Sequence, residues 1–145
     1  MMRVLLAAVA ALFVLWAWAG DTPKIGQEAL LEKMASGDGD LVILDVRTAK
    51  EYEDGHVPGA VNIPHEELGS RLPEIEAGRE ADIVVYCRSG RRSEIALDLL
   101  AGAGFERLHH LEGDYLAWSA AGRPVEKPSQ AAPAQAEAPV APPAP

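Results

Sequence analysis

The chain has 145 residues with 22 acidic and 13 basic side chains, a net charge of −9, and a single Cys. That length holds one domain of ordinary size, one Cys excludes a disulfide-stapled scaffold, and the acidic balance argues against a nucleic-acid binder. The 48% apolar content is inflated by the chain ends; Gly20 to Arg123 holds 43 apolar residues in 104, a soluble-domain proportion that excludes a multi-span membrane protein and a collagen-like chain.

Residues 1–19 contain 18 apolar residues and one charge, Arg3. Met1-Met2-Arg3 reads as a basic n-region, Val4 to Trp16 as an apolar h-region, and Ala17-Trp18-Ala19 as an A-x-A cleavage site. The expectation is a signal peptide over 1–19, with no stable membrane span once it is cleaved. The alternative is an uncleaved anchor, for which the 16-residue apolar run is slightly short. The domain is expected to be exported, and periplasmic if the host is Gram-negative. At the other end, residues 124–145 hold 7 Pro and 7 Ala in 22 positions. Such a segment favours extended conformations and has little apolar surface to bury. Residues 126–145 are therefore expected to be a disordered Pro/Ala-rich tether, leaving residues 20–125 as the domain.

Between these ends the pattern alternates. Gln27 to Met34 has apolar residues at helical spacing and stops at Gly37. Leu41-Val42-Ile43-Leu44-Asp45 is a short apolar run suited to a buried strand. Ala49 to Asp54 predicts a short helix ending at Gly55, and Ala60 to Ile63 a second strand after the Pro58-Gly59 turn. His65 to Glu76 is helical with interruptions at Gly69 and Pro73. Asp82-Ile83-Val84-Val85-Tyr86 is the clearest strand, followed by an amphipathic helix over Arg91 to Ala103. Arg107 to Leu111 predicts another strand and Tyr115 to Ala121 a last helix, with Trp118 in the core. Apolar strands separated by helices imply a parallel sheet covered on both faces, with ligands beyond the carboxyl ends of the strands.

Cys87 follows the clearest strand directly, in the run Cys87-Arg88-Ser89-Gly90-Arg91-Arg92-Ser93 that leads into a helix. Backbone N–H groups of such a loop and of the first helical turn can converge on an anion. The helix dipole and Arg88, Arg91 and Arg92 each favour thiolate over thiol at Cys87. Gly90 permits a backbone conformation that larger residues resist. Three of the domain's 11 basic residues fall within five positions, against 20 acidic residues in the same domain. A basic pocket in an acidic protein points to a small anionic substrate. An inert buried Cys is the bland alternative, but it leaves the surrounding Arg, Ser and Gly unexplained. His109 and His110 are adjacent in a strand, so they face opposite sides and cannot hold one metal together. No other metal-ligand spacing is present, and no cofactor is expected.

Three separated blocks carry a resemblance. Leu44-Asp45-Val46-Arg47, followed by Glu51-Tyr52-x-x-Gly55-His56-Val57-Pro58-Gly59-Ala60-x-Asn62-Ile63-Pro64, is the first. Cys87-Arg88-Ser89-Gly90-x-Arg92-Ser93 is the second. Leu111-Glu112-Gly113-Asp114-x-x-x-Trp118-x-x-Ala121-Gly122-x-Pro124-Val125 is the third. In that order they resemble the rhodanese (thiosulfate sulfurtransferase-like) family over Ile25 to Val125. One domain behind a leader is similar to the small periplasmic rhodaneses associated with phage-shock systems. Asp114 departs from the pattern, because the family usually has a second Gly there. As the start of the last helix, Asp is read as a good cap and a harmless change.

The resemblance implies a three-layer α/β domain with a central five-stranded parallel sheet. It also implies a Cys87 nucleophile that takes sulfur from a donor such as thiosulfate as a persulfide and hands it to a thiophilic acceptor. The amides of Arg88 to Ser93 would stabilise the persulfide and the donor's charge. Among the three Arg side chains, Arg92 is expected to point inward. Asp45 and Arg47, at a neighbouring strand end, would buttress the loop. An exposed thiolate would be open to oxidation. The partners expected are a small anionic sulfur donor and a thiol or thioredoxin-like acceptor, with no nucleic acid and a monomeric chain. Two rivals remain in view. A phosphatase or arsenate reductase needs Arg six positions after its Cys, where this chain has Ser93. A sulfur carrier or interaction module would form the persulfide, or bind a partner, without turnover.

Overall fold

The computed structural model describes residues 22–128 apart from 38. The expected leader lies outside the described residues, as does the expected tail beyond 128. Five strands form one sheet: β1 (Lys24–Ile25), β2 (Leu41–Asp45), β3 (Val61–Asn62), β4 (Asp82–Tyr86) and β5 (Leu108–Leu111). Their order across the sheet is β1-β5-β4-β2-β3, and every pairing is parallel. Parallel neighbours cannot be joined by a tight hairpin, so helices make the crossovers. These are α1 (Gln27–Ser36), α2 (Ala49–Asp54), α3 (Leu68–Arg71) and α4 (Arg91–Gly102); α5 (Asp114–Ala120) closes the domain.

The strand patterns decide which layer each helix joins. Along β4 and just beyond it, Ile83, Val85 and Cys87 face one core with Leu68 of α3 and Ala96, Leu97 and Leu100 of α4. Val84 and Tyr86 face the other core with Leu30 of α1 and Trp118 of α5. This alternation of successive side chains turns one apolar run into two buried surfaces. The result is the three-layer α/β architecture. Trp118 is fully buried as expected, and its indole N–H donates to the Pro124 carbonyl at 2.8 Å.

Local chemistry sets the boundaries. Helix α1 ends at Gly37, which adopts φ 61°, and α2 starts with a capping box in which Thr48 and Glu51 satisfy each other's backbone N–H groups. The interrupted stretch after His65 is a turn, then α3, then 3-10 turns at Leu72–Glu74 and Glu76–Gly78, with Pro73 in the first of them. β1 has two residues, too few for any periodic pattern. The far strand ends are tied by Asp82, which takes Lys33 at 3.1 Å, Arg107 at 2.9 Å and His109 at 3.1 Å. Ordered contacts run one residue past the expected boundary at 125: Glu126 pairs with His56 as an antiparallel bridge, with N···O distances of 2.9 Å in both directions. His56 is structural in this setting, buried and stacked on Tyr52 with ring centroids 3.7 Å apart.

Candidate active site

The carboxyl ends of β2 and β4 lie side by side, with Asp45 in register with Tyr86, so Cys87 emerges at the central edge of the sheet. From there the chain must turn at once to begin α4. Gly90 makes that turn at φ 119°, a conformation that disfavours a side chain, and its N–H donates to Cys87 Sγ at 3.0 Å. Among the described residues, the N–H groups of Arg88, Ser89, Arg91, Arg92 and Ser93 have no protein acceptor. Five unclaimed main-chain donors flank one sulfur. That arrangement suits an anion.

The loop's carbonyls are held from the opposite side. Tyr115 N–H donates to the Cys87 carbonyl at 3.0 Å and Leu116 N–H to the Arg88 carbonyl at 3.1 Å, both from the first turn of α5. Asp114 completes this grip. Its carboxylate accepts the Cys87 N–H at 2.9 Å and the Ser93 hydroxyl at 2.8 Å, and meets His110 Nε2 at 2.9 Å. Burial works to raise the Asp114 carboxyl, but the bonds from His110, the Cys87 N–H and Ser93 outweigh it and hold it below the usual range. With the carboxylate ionised, His110 Nε2 carries the proton of this contact.

The structure departs from the sequence reading at Asp114, Cys87 and Arg92. Asp114 is not a helix cap: Gly113 occupies that position, and Asp114 makes no capping bond. The amides it would have capped are already taken, Leu116 N–H by the Arg88 carbonyl and Ala117 N–H by the Gly113 carbonyl, while its own carboxylate finds three donors on the loop, α4 and β5. The Asp114 side chain is instead buried beneath Cys87 and bonded to it. Cys87 itself is 1% exposed, so the exposed thiolate expected from sequence is instead shielded within its own loop. Arg92 does not turn into the cradle. Its guanidinium meets Glu51 of α2 at 2.7 and 3.0 Å, and Arg92 with the Thr48 cap overcomes burial to lower the Glu51 carboxyl to about 2.

The other candidates spread around the mouth. Arg88 and Arg91 are exposed, and Ser93 is fully buried on Asp114. Arg88 lines a groove of about 240 Å³ with Arg47, Glu51, Gly55, Tyr115 and Leu116. Asp45 and Arg47 form a buried pair at 2.6 Å, and Tyr86 donates its hydroxyl to Asp45 at 2.7 Å. Arg47 also donates to the Gly55 carbonyl at 2.8 Å and lies 4.1 Å over the Tyr115 ring. Neither Asp45 nor Arg47 bonds to residues 87–93 among the described residues. They brace the α2 terminus and α5, which in turn hold the loop. Glu51, His110, Asp114 and Tyr115 were not singled out as site residues from the sequence. Glu51 and Asp114 lay inside the motif blocks, but their partners are 41 and 27 positions away.

The fold is a parallel α/β sheet with a Cys-bearing loop that opens from the central strand into a helix. The rhodanese-like domain family matches residues 27–121, and the chain belongs to it. A sulfurtransferase of Allochromatium vinosum is 35% identical over 105 residues, covering 72% of this chain and 95% of that protein. Thiosulfate sulfurtransferase 16, chloroplastic, of Arabidopsis thaliana is 37% identical over 93 residues, covering 57% of this chain and 78% of that one. The solution NMR structure of the rhodanese-like domain of the Anabaena Alr3790 protein superposes with a TM-score of 0.66 at 34% identity, covering 81% of this chain and 89% of that chain. Some other curated relatives are longer, and the chain spans less than half of their length. Sulfurtransferase relatives support sulfur transfer as the general chemistry.

Proposed function

We propose that the protein moves sulfane sulfur from thiosulfate, or a donor of similar charge, to a thiophilic acceptor through a persulfide on Cys87. The observation that carries this reading is the loop itself: one sulfur, a bond from Gly90 N–H at 3.0 Å, and five main-chain donors without an acceptor among the described residues. The thiolate attacks the outer sulfur of thiosulfate. A Cys87 S–S bond forms, the donor's S–S bond breaks, and sulfite leaves with the bonding pair. The persulfide keeps one negative charge, which main-chain dipoles stabilise without reorganising. The exposed Arg88 and Arg91 favour approach of the dianion to an otherwise acidic protein. A nucleophilic acceptor then takes the outer sulfur and releases the thiolate.

Ser93 weighs against the phosphatase reading, because the position that would need a guanidinium carries a buried hydroxyl committed to Asp114. A sulfur-carrier reading is favoured by one observation, the 1% exposure of Cys87, which restricts release to small or docked acceptors. The proposal extends to an exported chain whose leader is removed after Ala19.

Intact mass before and after thiosulfate tests these points together, with Cys87→Ser alongside. The expected result is a gain of one sulfur, absent in Cys87→Ser and reversed by cyanide with thiocyanate release. No gain overturns the reading. A gain that cyanide and small thiols fail to reverse makes the protein a carrier. The starting mass reads the leader.

A further inference from the structure

The backbone of Cys87 is held on both sides, at its N–H and at its carbonyl, by consecutive residues of another element. Asp114 accepts its N–H at 2.9 Å, and Tyr115 donates to its carbonyl at 3.0 Å. The same carboxylate takes the Ser93 hydroxyl at 2.8 Å, so both ends of the loop, Cys87 and Ser93, converge on one side chain. His110 fixes that side chain from β5. At the loop's apex, a Cβ on Gly90 would lie 3.1 Å from Asp114 Oδ2 and 3.6 Å from His110 Cε1, so the pair also forms the floor under the turn.

Asp114 does this at a backbone cost. It is the one non-Gly residue with positive φ among those described, at 52°, a region where Gly is favoured and Asp merely tolerated. A residue kept for the backbone alone would be Gly. The side chain is 3% exposed and every oxygen has a donor, so what it gains is the contact with the loop. Oδ1 alone meets the Cys87 N–H, the Ser93 hydroxyl and His110 Nε2.

We infer that Asp114, oriented by His110, is a positioning residue that pins the ends of the Cys87 loop and sets the geometry in which the sulfur reacts. The kinetic part of this inference rests on the sulfur-transfer reading above; the structural part does not. Asp114 does not touch substrate. It acts through the Cys87 N–H and Ser93, and so bears on the chemical step more than on donor capture.

Two variants of the full chain test it, Asp114→Gly and Asp114→Asn. Gly suits the backbone and removes the carboxylate. Asn keeps an oxygen that accepts from Cys87 and Ser93, with His110 adopting the tautomer that accepts its amide. Hydrogen exchange over residues 87–93 is read beside kcat and KM for thiosulfate with cyanide. In Asp114→Gly the loop should exchange about tenfold faster and kcat fall about tenfold, with KM within about twofold, since small misplacements of a reacting group carry costs of this order. Asp114→Asn should recover both to within about threefold. Wild-type exchange in the Gly variant overturns the inference, and so does fast exchange with undiminished kcat, which would leave Asp114 a structural residue. If Asp114→Gly yields no soluble protein, Ser93→Ala takes its place with the same readings. Should the wild-type chain transfer no sulfur, the sulfur-transfer reading fails, while the exchange comparison still decides whether Asp114 pins the loop.

Discussion

Glu51 holds Arg92. The two side chains meet at 2.7 and 3.0 Å across 41 residues of sequence, joining the first turn of α2 to the first turn of α4. Glu51 is simultaneously half of the capping box with Thr48, so one carboxylate starts a helix and neutralises a cation of the Cys87 loop. The basic loop is therefore less positive than its sequence suggests.

The Glu51 carboxyl, lowered from 4.5 to about 2, gives this pair a defined pH window. A carboxylate with a depressed folded-state value contributes stability that is complete above its unfolded value and is lost as pH falls through the folded one. The melting temperature of the wild-type chain should thus decline between about pH 4.5 and 2 in part through Glu51. Glu51→Gln should melt lower at pH 7, by a few degrees for a loss of about 1 kcal/mol, and converge on the wild type near pH 2. Thermal melts by circular dichroism across pH 2–7 check this. Parallel curves for the two proteins would show that the pair is inconsequential.

Gly55 should not accept a side chain. Its φ is 148°, and a Cβ there would lie 2.8 Å from the Tyr115 hydroxyl and 2.9 Å from Val125 Cγ1. Its carbonyl also accepts from Arg47. Gly55→Ala should destabilise the fold by about 2 kcal/mol or more, through strain and displacement of Tyr115. Urea unfolding with an unchanged m-value is the measurement; a loss below about 0.5 kcal/mol would refute the crowding argument.

Truncation should separate the contribution of the bridge from that of the residues beyond it. A chain ending at Lys127 retains the His56–Glu126 pairing and the Glu126 side chain on Gly59 N–H at 3.1 Å. One ending at Val125 loses both. The shorter chain should melt several degrees lower, for a loss of about 1 kcal/mol per bond set, while the longer should match the full chain. Equal melting temperatures for all three would remove Glu126 from the fold.

The sequence disclosed whatever is periodic or contiguous. β2 and β4 stand out because buried strands need apolar runs, and α4 because its apolar face recurs at helical spacing. The loop from Cys87 to Ser93 is legible because its chemistry sits in seven consecutive residues. β1 is not, since two residues at a sheet edge carry no period. Arg92 was expected to face the anion; its true partner, Glu51, depends on how β2 and β4 pair and bring α2 beside α4. Asp114 misled for a related reason. Asp at a helix start is usually a cap, and only the fold reveals that a Cys N–H, a Ser hydroxyl and a His ring compete for the same oxygens.

The donors around Cys87 belong to the main chain, and that bears on how this site can diverge. Backbone N–H groups survive replacement of the side chains attached to them, so exchanging Arg88, Ser89 or Arg91 leaves these donors in place. Gly90, with its φ of 119°, and Ser93, tied to Asp114, have no such latitude. The path of the loop is thus written in Gly90, Ser93 and Asp114, and its outward side chains decorate a shape they do not make.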